Sequence, residues 1–324
     1  MMSKFLNTKT LIILLVVLGA ILVITELTKR EDRSFRSQLV DIDTAQVTKI
    51  EIIPKIGGGD MITMTRNGYD WKLESGGKVY QQDNATIRNI LTELARLRVE
   101  RVAATGRDKW TELEVTDSTA TRIKLYNDDD LLSDLYLGKF SYSQPEQANP
   151  YQRQQARMFT HVRPAEDEKV YVVEGFIKMN IQPKVDSYRA KILCNVDPQK
   201  ITRVKFDYPD LDFTVEKTDS VWMVDGQVAD STKTARFMNK FRRLTSSNFI
   251  DDVEPQQGAE ASVITVEAEG ISPVVIKALP ADSVNQYVIT SSKVADAKYS
   301  GSKGRLYDRI FVQPDEFLPD EKKK

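Results

Sequence analysis

The sequence predicts an α+β protein: an N-terminal transmembrane helix, then two duplicated, β-rich modules, each with an amphipathic helix packed on an antiparallel sheet. Three observations predict it. An uncharged apolar run stands near the N-terminus. A unit of tryptophan, turn and helix occurs twice. Short alternating segments broken by Gly, Pro, Asn and Asp fill most of the remaining chain. The 324 residues suffice for about two domains. Hydrophobic residues at 41% and charged residues at 29% place the body among globular chains.

The first element is the run "LIILLVVLGAILVI" from Leu11 to Ile24. It carries no charge, and extending it to Leu27 adds only Thr25 and Glu26 as polar residues. Such a run is a signal-peptide core or a short membrane span. A buried soluble helix would need a polar face, and none exists. The following "TELTKREDRSFR" offers no small-x-small cleavage pattern, so a retained span is expected. Lys29, Arg30 and Arg33 run against the positive-inside rule, but the preceding tail is too short to be a domain. Residues 1–10 therefore read as a cytoplasmic tail and 11–27 as the transmembrane helix. The body is expected in the periplasm, anchored to a bacterial inner membrane.

The body reads as repeat module 1 over 35–186, repeat module 2 over 187–318 and a charged tail over 319–324. "FRSQLVDIDTAQVTKIEI" and "YRAKILCNVDPQKITRVKF" share an aromatic-Arg pair, an Asp and an alternating run. Arg36 matches Arg189, Asp43 matches Asp197, and Val47 matches Ile201, an offset of about 154 residues. Each alternating run reads as a half-buried strand that ends at a proline, Pro54 or Pro209. "MITMTRNGYDWKL" then reads as a hairpin with Asn67-Gly68 at its tip, two residues that tolerate positive φ. The second copy has Thr-Asp-Ser at that place. Trp71 and Trp222 stand on strands between polar neighbours, and both are expected in the core.

A helix follows each tryptophan. In the first, Ile87, Ile90, Leu91, Leu94 and Leu97 fall on one face, with Asp83 or Asn84 as the cap. In the second, Phe237, Met238, Phe241 and Leu244 repeat the stripe, with Asp230 or Ser231 as the cap. Both stripes are expected to pack on their own sheets. The later parts match more loosely: "EKVYVVEGFIKMN" near Tyr171 is set against "GRLYDRIFVQPDEF" near Tyr307 as a closing segment, and "LYDRIFV" reads as strand-like.

Little in the chain points to chemistry. One Cys (Cys194) and one His (His161) exclude an internal disulfide and a zinc site of ordinary spacing. His161 has no Gly-x-Ser-x-Gly partner. Asp128 to Asp130 lack calcium-loop spacing and read as a hairpin turn. "GGG" at Gly57 to Gly59 and "SGSKGR" at Ser300 to Arg305 lack the spacing of a phosphate loop; the first reads as a hairpin turn and the second as a loop. A net charge of −1, with 46 basic against 47 acidic residues, gives no argument for nucleic acid. A hydrolase would have to work with carboxylates alone. We expect no enzyme activity and no cofactor. The most irregular stretch, Tyr142 to Phe159, is rich in Gln and Pro and has no equal in the second copy. It is either a binding loop, with Tyr142, Pro145, Tyr151 and Arg153 as its candidate residues, or a plain surface loop.

The short tail, the single span, the two Phe/Tyr-Arg motifs and the tryptophan–turn–helix units together resemble the domain-of-unknown-function 4340 family. The resemblance covers about Phe35 to Phe317 and rests on strands, a Trp and an Asp. It implies a single-span bacterial envelope protein working with an ABC transporter of the gliding-motility type. It supplies no site residues. The expected function is a membrane-anchored periplasmic accessory or scaffold protein, its partners the inner membrane and transporter subunits. The alternative is a freestanding envelope module that binds polysaccharide, peptidoglycan or lipid. The sequence leaves the oligomeric state open.

Overall fold

The computed structural model describes residues 15, 17–19, 38–143 and 157–320. Among the described residues no helix is long and apolar enough to cross a membrane, and most of the run at 11–27 lies outside them. Four strands come first: β1 (Lys49–Ile53), β2 (Ile62–Asn67), β3 (Asp70–Ser75) and β4 (Lys78–Tyr80). They lead to helix α1 (Asn84–Ala95). Next come β5 (Val99–Ala104), β6 (Thr121–Asn127), β7 (Asp130–Ser143), β8 (Arg157–Pro164), β9 (Val170–Glu174) and α2 (Ile177–Asn180). The chain continues through β10 (Ile192–Cys194), β11 (Ile201–Tyr208), β12 (Leu211–Thr218), β13 (Val221–Val224), β14 (Gln227–Val228) and α3 (Ser231–Met238). It closes with β15 (Leu244–Thr245), β16 (Ser262–Ala268), β17 (Val274–Pro280), β18 (Tyr287–Ser291), β19 (Val294–Ser300) and α4 (Leu306–Ile310). The protein is thus β-rich, with few helices and antiparallel sheets.

The chain divides into two compact units. The first is Met1–Met61 with Arg88–Pro183; the second is Ile62–Ile87 with Lys184–Lys324. In the first, neighbouring strands run β1-β6-β7-β8-β9-β5. In the second, β4-β3-β2 form a meander, and β14-β13-β12-β11-β16-β17-β18-β19 form an eight-stranded sheet. A short β10-β15 pair completes the second unit.

Alternation decides which side chains are buried. In β1, Ile50 and Ile52 are fully buried, and in β3 Trp71 and Leu73 are. In β11 the buried set is Ile201, Val204 and Phe206. Its first spacing is three because the pairing with β16 shifts register between Ile201 and Arg203. The second unit's core gathers around four rings: Phe206 stacks on Phe213 at 4.3 Å, and Phe237 meets Phe317 edge-on at 4.8 Å. Cys194 lies in this core, where burial pushes its thiol up to about 12, so it stays an inert thiol.

Both helix caps are aspartates. The Asp83 carboxylate accepts from the backbone N–H of Ala85 at 3.0 Å and of Thr86 at 3.3 Å. Asp230 accepts from Thr232 and Lys233 at 2.8 and 2.9 Å. Each fills an orphan donor of the first turn. The stripe Ile87, Ile90, Leu91 and Leu94 is buried, as are Phe237, Met238 and Phe241. The second helix is shorter than its stripe suggests. It stops at Met238, and Asn239–Arg243 tightens to a 3-10 turn. The Phe241 carbonyl accepts from Val196 N–H at 3.0 Å, which commits the chain to the β10-β15 pair.

One strand reading is overturned. "LYDRI" is a helix, α4, and not a strand, whereas "VYVVE" around Tyr171 is β9. Leu306 and Ile310 are buried one turn apart. Tyr307 is clamped between Tyr287 at 3.7 Å and Phe311 at 4.7 Å. Ring stacking at that position fixes a helix that a short aromatic run cannot announce.

The hairpin turns also differ from expectation. Asn67 pairs with Asp70, so the loop is Gly68-Tyr69, and of its two residues only Gly68 has a positive φ, 63°. In the second copy Asp219 and Ser220 hold φ 46° and 70°, the signs of a type I′ turn, without a glycine. Replacing Ser220 by Gly should therefore raise stability by about 1 kcal/mol, seen as a higher urea midpoint. An unchanged or lower midpoint would contradict this reading of the turn.

Gly138 marks a close approach in β7. Lys139 N–H donates to the Leu113 carbonyl at 2.9 Å. A Cβ on residue 138 would collide with that carbonyl and come to 2.5 Å from Val115 Cγ1. The pairing with β8 shifts register at the same place. Gly138→Ala should cost about 1–3 kcal/mol by overpacking, measured by thermal unfolding. A loss under half a kcal/mol would show that the Leu113 segment moves aside freely.

Candidate functional site

A polar cleft of about 230 Å³ opens in the second unit. It is lined by Lys191, Thr245, Ser246, Ser247, Asn248, Lys303, Gly304, Leu306 and Arg309. Three cations and three hydroxyls line it, and no carboxylate does. Of the acids around it, Asp308 pairs with Arg305 at 3.3 Å and Glu316 faces Lys240 at 3.9 Å. Asp282 accepts from the Asn285 backbone and amide, which lower its pKa, and the Lys303 charge adds to that shift.

Several elements hold this cleft in place. Ser246 N–H donates to the Lys191 carbonyl at 3.0 Å, which joins the β15 exit to the β10 entry. Lys191 Nζ donates to the Ser187 carbonyl at 2.9 Å. Asn248 is fixed through its carbonyl, which accepts from Ser300 N–H at 3.0 Å. Lys303 precedes α4 and Arg309 lies within it; docking of α4 by Leu306, Ile310 and the Tyr307 stack makes a rigid mount. Between them Gly304 and Arg305 hold φ 68° and 52°. For Arg305 that left-handed backbone costs roughly 1 kcal/mol.

Other charged groups are closed on one another. In the second unit Arg189 is 2% exposed. It donates to Asp251 at 2.5 and 3.1 Å and to Asp186 at 3.1 Å, and lies 3.8 Å from the Phe249 ring. The two aspartates raise the guanidinium's pKa above its ordinary value, against a desolvation that pulls it down. In the first unit Arg163 is buried between Trp110 at 3.8 Å and Tyr136 at 4.0 Å. Its N–H groups donate to the carbonyls of Val115, Pro164 and Asp167. Arg122 forms a two-pronged pair with Asp134 at 2.7 and 2.6 Å. Tyr136 Oη donates to Asp117 at 2.6 Å.

The residues singled out in the sequence fall as follows. Trp71, Ile87, Leu91, Leu94, Phe237 and Phe241 are buried. Trp222 is half-buried and packs against the second unit's core. Tyr142 lies near the end of β7 and is 68% exposed. Pro145, Tyr151 and Arg153 lie outside the described residues. At the base of that segment Arg157 bridges Glu100 and Glu174, and its guanidinium holds the Glu174 carboxyl below the usual carboxylate range. His161 is a strand residue whose Nδ1 lies 2.9 Å from the Lys139 carbonyl. The described residues contain no group of acids, His and Cys that could hold a metal ion.

Sequence reasoning missed the cleft. "SGSKGR" reads as a loop, and the hydroxyl run Thr245 to Ser247 has no motif spacing to mark it. Its parts lie up to about 120 residues apart, so only the fold brings them together.

Fold and cleft define a β-rich α+β body that carries a small basic recess. The chain belongs to the family "Domain of unknown function (DUF4340)", whose match spans residues 71–262. No curated protein and no solved structure matches it significantly.

Proposed function

We propose that the chain is a membrane-tethered, non-catalytic accessory protein of a bacterial envelope. Its apolar run lies in the inner membrane, its body in the periplasm, and its partner is an ABC transporter of the gliding-motility type. The observation that carries this reading is how the body uses its buried charges. Arg189 is paired to carboxylates, Arg122 to Asp134, and Arg163 is capped by carbonyls and rings. Groups closed in this way hold a shape; a general acid or base must instead exchange its proton with a bound molecule. A tether raises effective concentration at a partner without demanding strong contacts.

The two modules are also proposed to derive from one duplicated unit. The orders β1-β6-β7-β8-β9 and β11-β16-β17-β18-β19 correspond, as do β4-β3-β2 and β14-β13-β12. Each of the latter hands over to an Asp-capped helix, and β9 and β19 each lead into a short helix. This agreement supports duplication and moves the match near Tyr171 from Tyr307 to the residues just before α4.

Purification of the full chain after mild detergent extraction should bring transporter subunits with it. Protease added to intact spheroplasts should digest the body. A body shielded from the protease would contradict the topology.

A second reading, an envelope module for polysaccharide, peptidoglycan or lipid, is favoured by Tyr142. An exposed aromatic ring on a strand end is an apt stacking platform for a sugar. Under it, deletion of residues 142–151 removes ligand binding and leaves transporter association intact.

A further inference from the structure

We infer that the basic cleft of the second unit is a binding site for a phosphate group, either free phosphate or the terminal phosphate of a monoester. The inference stands on the cleft alone and does not depend on the transporter reading.

Lys191, Lys303 and Arg309 bring three positive charges to one recess that has no carboxylate in its lining. With no anion bound, the three cations repel one another; the Ser187 carbonyl holds Lys191 Nζ, while Lys303 and Arg309 are exposed. Structural arginines elsewhere in the chain behave differently: Arg122, Arg157 and Arg189 each sit on a carboxylate. The ligand's charge follows from this contrast. A phosphate monoester carries close to two negative charges and three strong acceptor oxygens. That suits three cationic side chains better than a single-charged carboxylate with two oxygens.

The hydroxyls of Thr245, Ser246 and Ser247 and the Asn248 amide add neutral donors around the same recess. Arg309 contributes a planar fork suited to phosphate oxygens, and the two lysines act as point charges. Size agrees as well. At about 230 Å³ the cleft is smaller than the roughly 300–1,000 Å³ of sites that enclose a whole small molecule. It takes an end group and leaves the remainder of a larger ligand in solvent. The mount is rigid: α4 is held by buried Leu306 and Ile310, and β15 is hydrogen-bonded to the Lys191 carbonyl. A phosphate entering here meets donors carried on held backbone, which lowers the cost of ordering the site.

The test is isothermal titration calorimetry on the full chain in a neutral detergent at fixed ionic strength. The probes are inorganic phosphate, a short-chain phosphatidic acid and, as control, the matching phosphatidylcholine. We expect saturable binding of phosphate or phosphatidic acid and none of phosphatidylcholine. The double variant Lys303→Gln, Arg309→Gln removes two exposed charges, and its affinity should fall by roughly tenfold or more. Ser247→Asp, at another exposed position, places an anion in the cleft and should abolish binding. It serves as the independent variant should the first fold poorly. Binding of both probes, or of phosphatidic acid alone, assigns a lipid-borne phosphate. Binding of inorganic phosphate alone assigns a soluble phosphate or phosphoester. No binding by either probe, or equal binding by wild type and both variants, overturns the proposal.

Discussion

Phe237→Ala is expected to destabilise the second unit by about 3–5 kcal/mol. The ring is fully buried at the C-terminal end of α3. It touches Phe241 at 5.5 Å, Phe317 at 4.8 Å and Phe206 at 5.9 Å. Truncation removes its own burial and leaves a hole that three other rings cannot all close, since each is held by a different element. Trp222 packs against the second unit's core, and tryptophan emission reports its unfolding. The urea midpoint should drop sharply. Phe237→Leu keeps most of the volume and should cost less than half as much. A loss below about 1 kcal/mol for the alanine variant would mean that the core collapses onto the space and that the rings around Phe237 do not hold it open.

Arg189→Met is expected to cost about 3 kcal/mol, near the low end for breaking a buried pair because Asp251 is 26% exposed. Methionine fills much of the volume against Phe249 but leaves Asp251 without its cation. Asp251→Asn is the complementary case, since it leaves a guanidinium that is 2% exposed with only Asp186 beside it. The combined variant Arg189→Met, Asp251→Leu should recover a large part of the loss, because an apolar replacement of both partners avoids a stranded charge. Equal losses for single and double variants would show that ring contacts, not the ion pair, fix Arg189. The pair matters beyond its own energy. The backbone on either side of Arg189 bonds Gln81 and Asp83: Asp83 N–H donates to the Tyr188 carbonyl at 2.7 Å, and Ala190 N–H to that of Gln81 at 2.8 Å. Arg189 therefore anchors the segment that leads into the Asp83 cap of α1.

What was legible in the sequence was whatever depends on neighbours along the chain. The sequence offers Asp83 or Asn84 and Asp230 or Ser231 as caps, since a cap bonds residues two and three positions on, and the aspartates fill that role. The Leu91–Leu94 and Phe237–Phe241 stripes announced buried faces through their helical spacing. Trp71 was placed in the core by alternation alone. Contacts across long separations were not legible. Arg189 reads as half of a repeated aromatic-Arg pair, but Asp251 is 62 residues away and nothing local links them. Helix α4 failed for a different reason. Five residues give one turn, and a run of Leu, Tyr, Ile and Phe fits a strand equally well until Tyr287 supplies the stacking partner. The cleft shows both limits, since it needs α4 to be a helix and needs β10 beside β15.

In-cell photocrosslinking from the body is the sharpest test of the proposed tethered partnership. Photoreactive residues at exposed positions such as Tyr69, Val79 and Val228, followed by mass spectrometry of the adducts, would name the neighbours. The account predicts adducts to the subunits of an inner-membrane transporter, lost when the 11–27 run is replaced by a cleavable secretion signal. Adducts confined to cytoplasmic proteins, or none to any membrane protein, would contradict it.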